Sequence, residues 1–170
     1  DLFRAERLAV RASGNLNFTD STNDFDTLAL DLTGNTSASI VDQNALEIGS
    51  IGSGSDTITG ITAAGAANDI SLTVGGALTQ AAGATVITPG TLAIDTTAFD
   101  AADVTLRNDA AGGTVLGDSL IAGTLSIDAR QDDVRQASGD FLRAGKLLVT
   151  NHSFELDMAE EQFFANGIVA

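Results

Sequence analysis

One short phrase recurs along this chain and limits its possible folds more than any bulk property does. Residues 90–95 read GTLAID and residues 123–128 read GTLSID, 33 positions apart. Residues 140–149 (DFLRAGKLLV) nearly reproduce residues 1–10 (DLFRAERLAV), an offset of 139 that continues as 138 from Leu16 to Phe154 and from Phe25 to Phe163. A third pair, residues 78–83 (LTQAAG) and 134–139 (VRQASG), follows the same style. Self-similarity of this kind marks a stacked array, because one repeat cannot bury its own apolar face and needs neighbours. The two ends are therefore expected to be cuts within a longer array, and residues 1–170 read as a single repeat segment with no internal linker.

The period within each repeat is two. Leu8/Val10, Leu16/Phe18, Leu28/Leu30/Leu32 and Leu46/Ile48 alternate with polar neighbours. Ile70/Leu72/Val74, Leu92/Ile94, Val104/Leu106, Leu125/Ile127, Leu147/Val149 and Phe154/Leu156 do the same, as half-buried strands require. Turn residues separate them at 33–35, 52–56, 75–76, 88–90 and 109–113. One stretch, residues 157–167 (DMAEEQFFANG), could instead cap and run as a short helix, but its 138-residue alignment with the strand-like Asn23 region favours a strand. Leu92 to Leu125 spans 33 residues, residues 69 and 103 (opening DISL and DVTL) are 34 apart, and Leu125 to Leu147 spans 22. These spacings predict an all-β parallel β-helix (β-solenoid) of roughly seven or eight coils, each of about 20–23 residues with insertions at turns. At ~4.8 Å per coil the piece would form a rod ~35 Å long. An antiparallel β-sandwich is the alternative; it explains the strands but not the offsets.

Composition excludes several functions. The chain has 8 Lys plus Arg against 23 Asp plus Glu, a net charge of −15. Nucleic-acid binding needs a basic stripe, so neither nucleic acid nor an anionic membrane surface is an expected partner. No apolar run reaches the roughly 20 residues of a membrane span, and no membrane insertion is expected. Residues 1–7 are too charged for a signal peptide, so an export signal would lie outside this stretch. With no Cys, disulfides, thiolate metal sites and Cys nucleophiles are all excluded.

Several phrases resemble the repeat region of filamentous haemagglutinin-like proteins, large exported bacterial adhesins of the two-partner secretion type, to which autotransporter passengers are related. The matching segments are residues 23–30 (NDFDTLAL), 39–48 (SIVDQNALEI), 69–83 (DISLTVGGALTQAAG), 90–95 and 103–108 (DVTLRN). The resemblance implies a right-handed β-helix, a secreted or cell-surface location, an outer-membrane secretion partner, and a role as adhesin or as the shaft of one. It carries no receptor-binding motif to any residue. The host or neighbouring-cell ligand, a glycan or a protein, is therefore left open, and self-association through coil ends is a further expectation.

Individual residues offer few chemical sites. Residues 51–59 (IGSGSDTIT) approximate the calcium-binding nonapeptide, with Gly52, Gly54, Asp56 and Ile58 in register. Ile51 replaces the first glycine and residues 60–68 supply no second Asp, so a Gly/Ser corner is the better reading and Asp56 is a weak calcium candidate. No other cofactor is expected. The pairs Asp24/Asp26, Asp100/Asp103 and Asp132/Asp133 would suit glycoside cleavage only if held at a set separation beside a sugar. All three sit in turn-like contexts, where Asp is favoured for local hydrogen bonds. The lone His152 has Ser153 and Asp157 near it only in sequence. Catalysis is not the expected function; a β-helical polysaccharide-processing enzyme is kept as an alternative. Arg130, Arg135, Arg143 and Lys146 would share one side if strands 134–136 and 141–149 stacked. That would make a patch for an acidic glycan or a protein, against the default of a solvated salt-bridge surface.

Overall fold

The computed structural model describes residues 3–65, 68–96, 104–106, 119–128, 133–136, 142–150, 153–155 and 168–169. Over these residues the chain is all-β, with one 3-10 turn at Gly54–Asp56 and no α-helix. Sixteen strands form one sheet whose pairings are parallel throughout, so the antiparallel sandwich does not apply.

The strands cycle through three ladders. The first runs from β1 (Arg4–Ala12) to β3 (Asp24–Leu32), β5 (Leu46–Ile48), β10 (Leu78–Gln80), β13 (Val104–Leu106), β15 (Asp133–Gln136) and β17 (Ser153–Glu155). The second uses the latter halves of β1 and β3, then β8 (Ile61–Ala63), β11 (Val86–Thr88), β14 (Ser119–Asp128) and β16 (Leu142–Thr150). The third joins β2 (Leu16–Phe18), β4 (Ala38–Asp42), β9 (Ile70–Val74) and β12 (Leu92–Asp95) to the latter halves of β14 and β16, and ends on β18 (Ile168–Val169). The long strands β1, β3, β14 and β16 each belong to two ladders. Between β5 and β8 a small antiparallel hairpin, β6 (Ser50–Ile51) and β7 (Ile58–Thr59), stands apart from the main sheet.

Register explains why the alternation is so regular. In the third ladder Leu16, Ala38, Ile70, Leu92, Leu125 and Leu147 lie opposite one another, and Phe18, Ile40, Leu72, Ile94, Ile127 and Val149 form the next column. From Ala38 and Ile40 onward both columns are buried. Each fully buried Leu or Ile contributes about 1.5–3 kcal/mol relative to exposure, and the columns keep like beside like from rung to rung. Steps along this ladder are 22, 32, 22, 33, 22 and 21 residues, from Leu16 to Ala38 through to Leu147 to Ile168. Four match the expected 20–23. Of the two long steps, that from Ala38 to Ile70 contains the β6–β7 hairpin; that from Leu92 to Leu125 includes residues 107–118, outside the described residues.

The recurring GTL phrase has a steric cause. The Gly123 N–H donates to the Gly90 carbonyl at 3.1 Å where the chain turns from the second ladder into the third. A Cβ on Gly123 would overlap the Gly90 oxygen and lie 2.7 Å from its carbonyl carbon; one on Gly145 would lie 2.8 Å from the Gly123 oxygen. Backbone meets backbone at this corner, and only glycine leaves room.

Candidate functional site

A concavity among the described residues follows from the third ladder's pleat. While the Leu and Ile columns point inward, their neighbours point out: Asn17, Ser39, Ser71 and Ala93 are register partners across four rungs. Asn15, Ser37, Asp69 and Thr91, one residue before each inward column, form a second outer row. Because most of these side chains are small, the two rows enclose a shallow trough of about 340 Å³. Asn15 and Asp69 also hold the backbone in place. The Asn15 Oδ1 accepts the Ser37 N–H at 3.1 Å, and the Asp69 Oδ1 accepts the Thr91 N–H at 2.9 Å. Asn17, Ser39 and Ser71 spend no side-chain hydrogen bond inside the protein, among the described residues, and face solvent with donors and acceptors both available. The trough can therefore offer repeated hydrogen bonds at the rung spacing, ~4.8 Å.

A second cluster lies at the corner between the third and first ladders. Asp42 is fully buried. Its Oδ1 accepts the Phe25 N–H at 2.6 Å and its Oδ2 the Asn44 N–H at 3.0 Å. Asn44 also donates its side-chain amide to Asp24 at 3.0 Å. Burial pushes the Asp42 carboxyl above its ordinary value of 3.8; the two amide hydrogen bonds oppose the shift, and nearby Asp24 and Asp26 add to it. Asp20, by contrast, is held down at about 2 by the Thr22 hydroxyl and amide.

Most residues singled out in the sequence are dispersed. Asp56 lies exposed in the 3-10 turn of the β6–β7 hairpin, where its N–H donates to the Ser53 carbonyl at 3.2 Å. Among the described residues no three His, Cys, Asp or Glu side chains gather as a metal site. The hairpin rests against β3, and Ile58 is buried there. The Arg11 guanidinium reaches the Thr57 carbonyl at 3.4 Å while it pairs with Asp31 at 3.2 Å. Residues 51–59 therefore form a lateral strap.

The described members of the cationic set fall on three separate ladders. Arg135 sits on β15 in the first, Arg143 opposite Leu120 in the second, and Lys146 opposite Thr124 in the third. Residues 134–136 and 142–150 are not paired with each other: β15 pairs with β13 and β17, and β16 pairs with β14 and β18. Arg130, His152, Asp100, Asp103 and Asp132 lie outside the described residues, as does the helix-or-strand segment 157–167. Asp24 and Asp26 are both on β3; Asp24 forms an exposed pair with Arg4 at 3.7 Å.

Two features escaped sequence reasoning. The trough requires knowing which outward residues stack, and Asp95 and Asp128 turn out to be register partners one rung apart. The repeated final Asp of GTLAID and GTLSID was the available signal for the second. Compared with known proteins, the chain matches no family model, no curated protein and no solved structure.

Proposed function

We propose that this chain is a stretch of right-handed parallel β-helix serving as the shaft of a secreted or surface-exposed bacterial filament of the haemagglutinin-like type. The observation that supports the reading is the ladder register: each strand of the main sheet adds parallel to a strand one rung away, in the same cyclic order of three ladders. A fold of this kind extends by repetition, since each rung contacts only its neighbours. Its acidic exterior keeps neighbouring rods apart. Its biochemical work is reach and display, and its outer-membrane secretion partner and surface location come with the resemblance. Negative-stain electron microscopy of the native, full-length material tests this. Thin rods much longer than the ~35 Å that seven rungs supply are the expected result; a compact particle of this chain's mass would overturn the reading.

The trough favours a second reading, a glycan-binding module. A linear neutral glycan laid along the ladder would meet a pair of outward polar side chains on three successive rungs and Thr91 on the fourth, and a hexose unit is about as long as a rung is tall. Titration with a neutral linear hexasaccharide should shift the Asn17, Ser39 and Ser71 amide resonances in wild type. It should leave the amide resonances of positions 17, 39 and 71 unmoved in the double variant Ser39→Leu, Ser71→Leu. An unchanged wild-type spectrum at millimolar sugar removes this reading.

A further inference from the structure

We propose that Asp69 makes the trough selective for a cationic amino sugar, a linear hexosamine whose amines are free rather than acylated. The inference rests on the glycan reading of the trough and names its ligand class. Among the described residues that line the trough, Asp69 alone is ionisable. The other polar lining groups are the amides of Asn15 and Asn17 and the hydroxyls of serine and threonine. The trough therefore carries one fixed negative charge and no positive one.

The carboxylate is held in place without being neutralised. On one side the Asp69 backbone carbonyl accepts the Ala38 N–H at 3.0 Å; on the other, its Oδ1 accepts the Thr91 N–H at 2.9 Å. These bonds tie the residue to the rungs before and after it. Its Oδ2 has no hydrogen-bond or ion-pair partner among the described residues, and the residue is exposed. An ionised carboxylate offers about four lone-pair sites, so one amide leaves most of that capacity for a ligand. Ser71 follows two residues later on the same face, ~6.6 Å along the strand, and Thr91 lies one rung on, ~4.8 Å away. A protonated amine seated on Asp69 places the rest of its sugar beside those two hydroxyls.

The surrounding charge favours the same sign of ligand. Lys146, the described cation of this ladder, is reached from Asp69 through Thr91 and Thr124, three rungs on. At the rung spacing that is ~14 Å, beyond the ~8–10 Å over which exposed charges act at physiological salt. Asp95 and Asp128 end β12 and β14, one and two rungs on from Asp69. The chain as a whole carries −15, which draws cationic ligands in and turns uronic or sulfated sugars away. One carboxylate serves the trough, so the preference is that of a single exposed ion pair, about two- to fivefold in affinity.

The test compares a β-1,4-linked glucosamine hexamer with its fully N-acetylated counterpart. Both are titrated in ~0.01 M salt at about pH 5.5, where carboxylates are ionised and amines protonated, and binding is read from the amide resonances of positions 17, 39 and 71. Wild type should bind the free-amine hexamer about two- to fivefold more tightly. That preference should vanish in ~1 M salt and in Asp69→Asn, which keeps an acceptor for the Thr91 N–H. Asp56→Asn removes an equal charge from the exposed hairpin and should keep the preference. Equal binding of the two hexamers by wild type overturns the selectivity and leaves the glycan reading standing. A preference that survives in Asp69→Asn, or that Asp56→Asn reduces as much, overturns the assignment to Asp69, because overall charge is then the cause. Binding of neither hexamer overturns it too, and titration with the neutral hexasaccharide then decides the glycan reading separately.

Discussion

Replacing Gly123 by alanine is expected to cost about 3 kcal/mol and to loosen the second and third ladders where β14 joins them. The added carbon would fall on the Gly90 carbonyl. Both partners are backbone, and the Gly123 N–H to Gly90 carbonyl bond fixes their approach. A flexible side chain could swing aside; a main-chain carbonyl held in a ladder cannot, so the rungs must separate and forfeit packing on either side. Gly14→Ala is the control. Nothing lies within 4 Å of the position its Cβ would take, and its φ is not among the positive values. Alanine there should be neutral or stabilise by about 0.4–1 kcal/mol through the unfolded chain. Urea unfolding of the two variants measures the contrast. Equal midpoints for Gly123→Ala and wild type would mean that the corner is looser than its geometry requires.

The same corner shows what the sequence could and could not convey. The 33-residue match between GTLAID and GTLSID is a true rung: Leu92 lies opposite Leu125 and Asp95 opposite Asp128. The LTQAAG and VRQASG phrases also share a ladder, two rungs apart through β13. The most extensive match does not. Its offset of 139 sends Leu8, opposite Leu28 in the first ladder, to Leu147, opposite Leu125 in the third. The 34-residue match likewise sends Leu72 of the third ladder to Leu106 of the first. All three ladders accept an alternation of Leu, Ile, Val and Ala, so composition encodes an inward position without encoding which face it serves.

Local chemistry was ambiguous for a related reason. Thr88 reads as part of a turn beside Pro89, yet it ends β11 fully enclosed, its hydroxyl donating to the Asn68 carbonyl at 2.7 Å and accepting the Gly90 N–H at 3.2 Å. Ile61–Ala63 is too short and too close to the hairpin to stand out as a strand, although Leu30 and Val86 both pair with Ile61. The trough could not be read at all. Its outward residues come together through steps of 22, 32 and 22 residues, and the long step contains a hairpin whose glycines suggested a metal loop. Asp42 looks like any aspartate before a turn until its burial is known.

The core carries the other large effect. Leu72→Ala should cost about 3 kcal/mol, as expected for a fully buried leucine whose cavity cannot collapse. Leu72 has Ile40 on one side and Ile94 on the other, one rung away in each direction. Both are pinned by backbone pairing, so neither can move in to fill the space. The comparison is Leu120→Ala, at an outward position with 40% of its surface exposed, where the change should stay within about 0.5 kcal/mol. Location matters as much as magnitude. In a stack coupled chiefly through nearest neighbours, damage at one rung is felt first by those beside it. Native-state hydrogen exchange of Leu72→Ala should therefore lose protection in β4, β9 and β12 before β16, three strands removed from β9 along the same ladder. Uniform loss across all four strands would show instead that the ladders unfold as one cooperative unit, with rungs too strongly coupled for local opening to be seen.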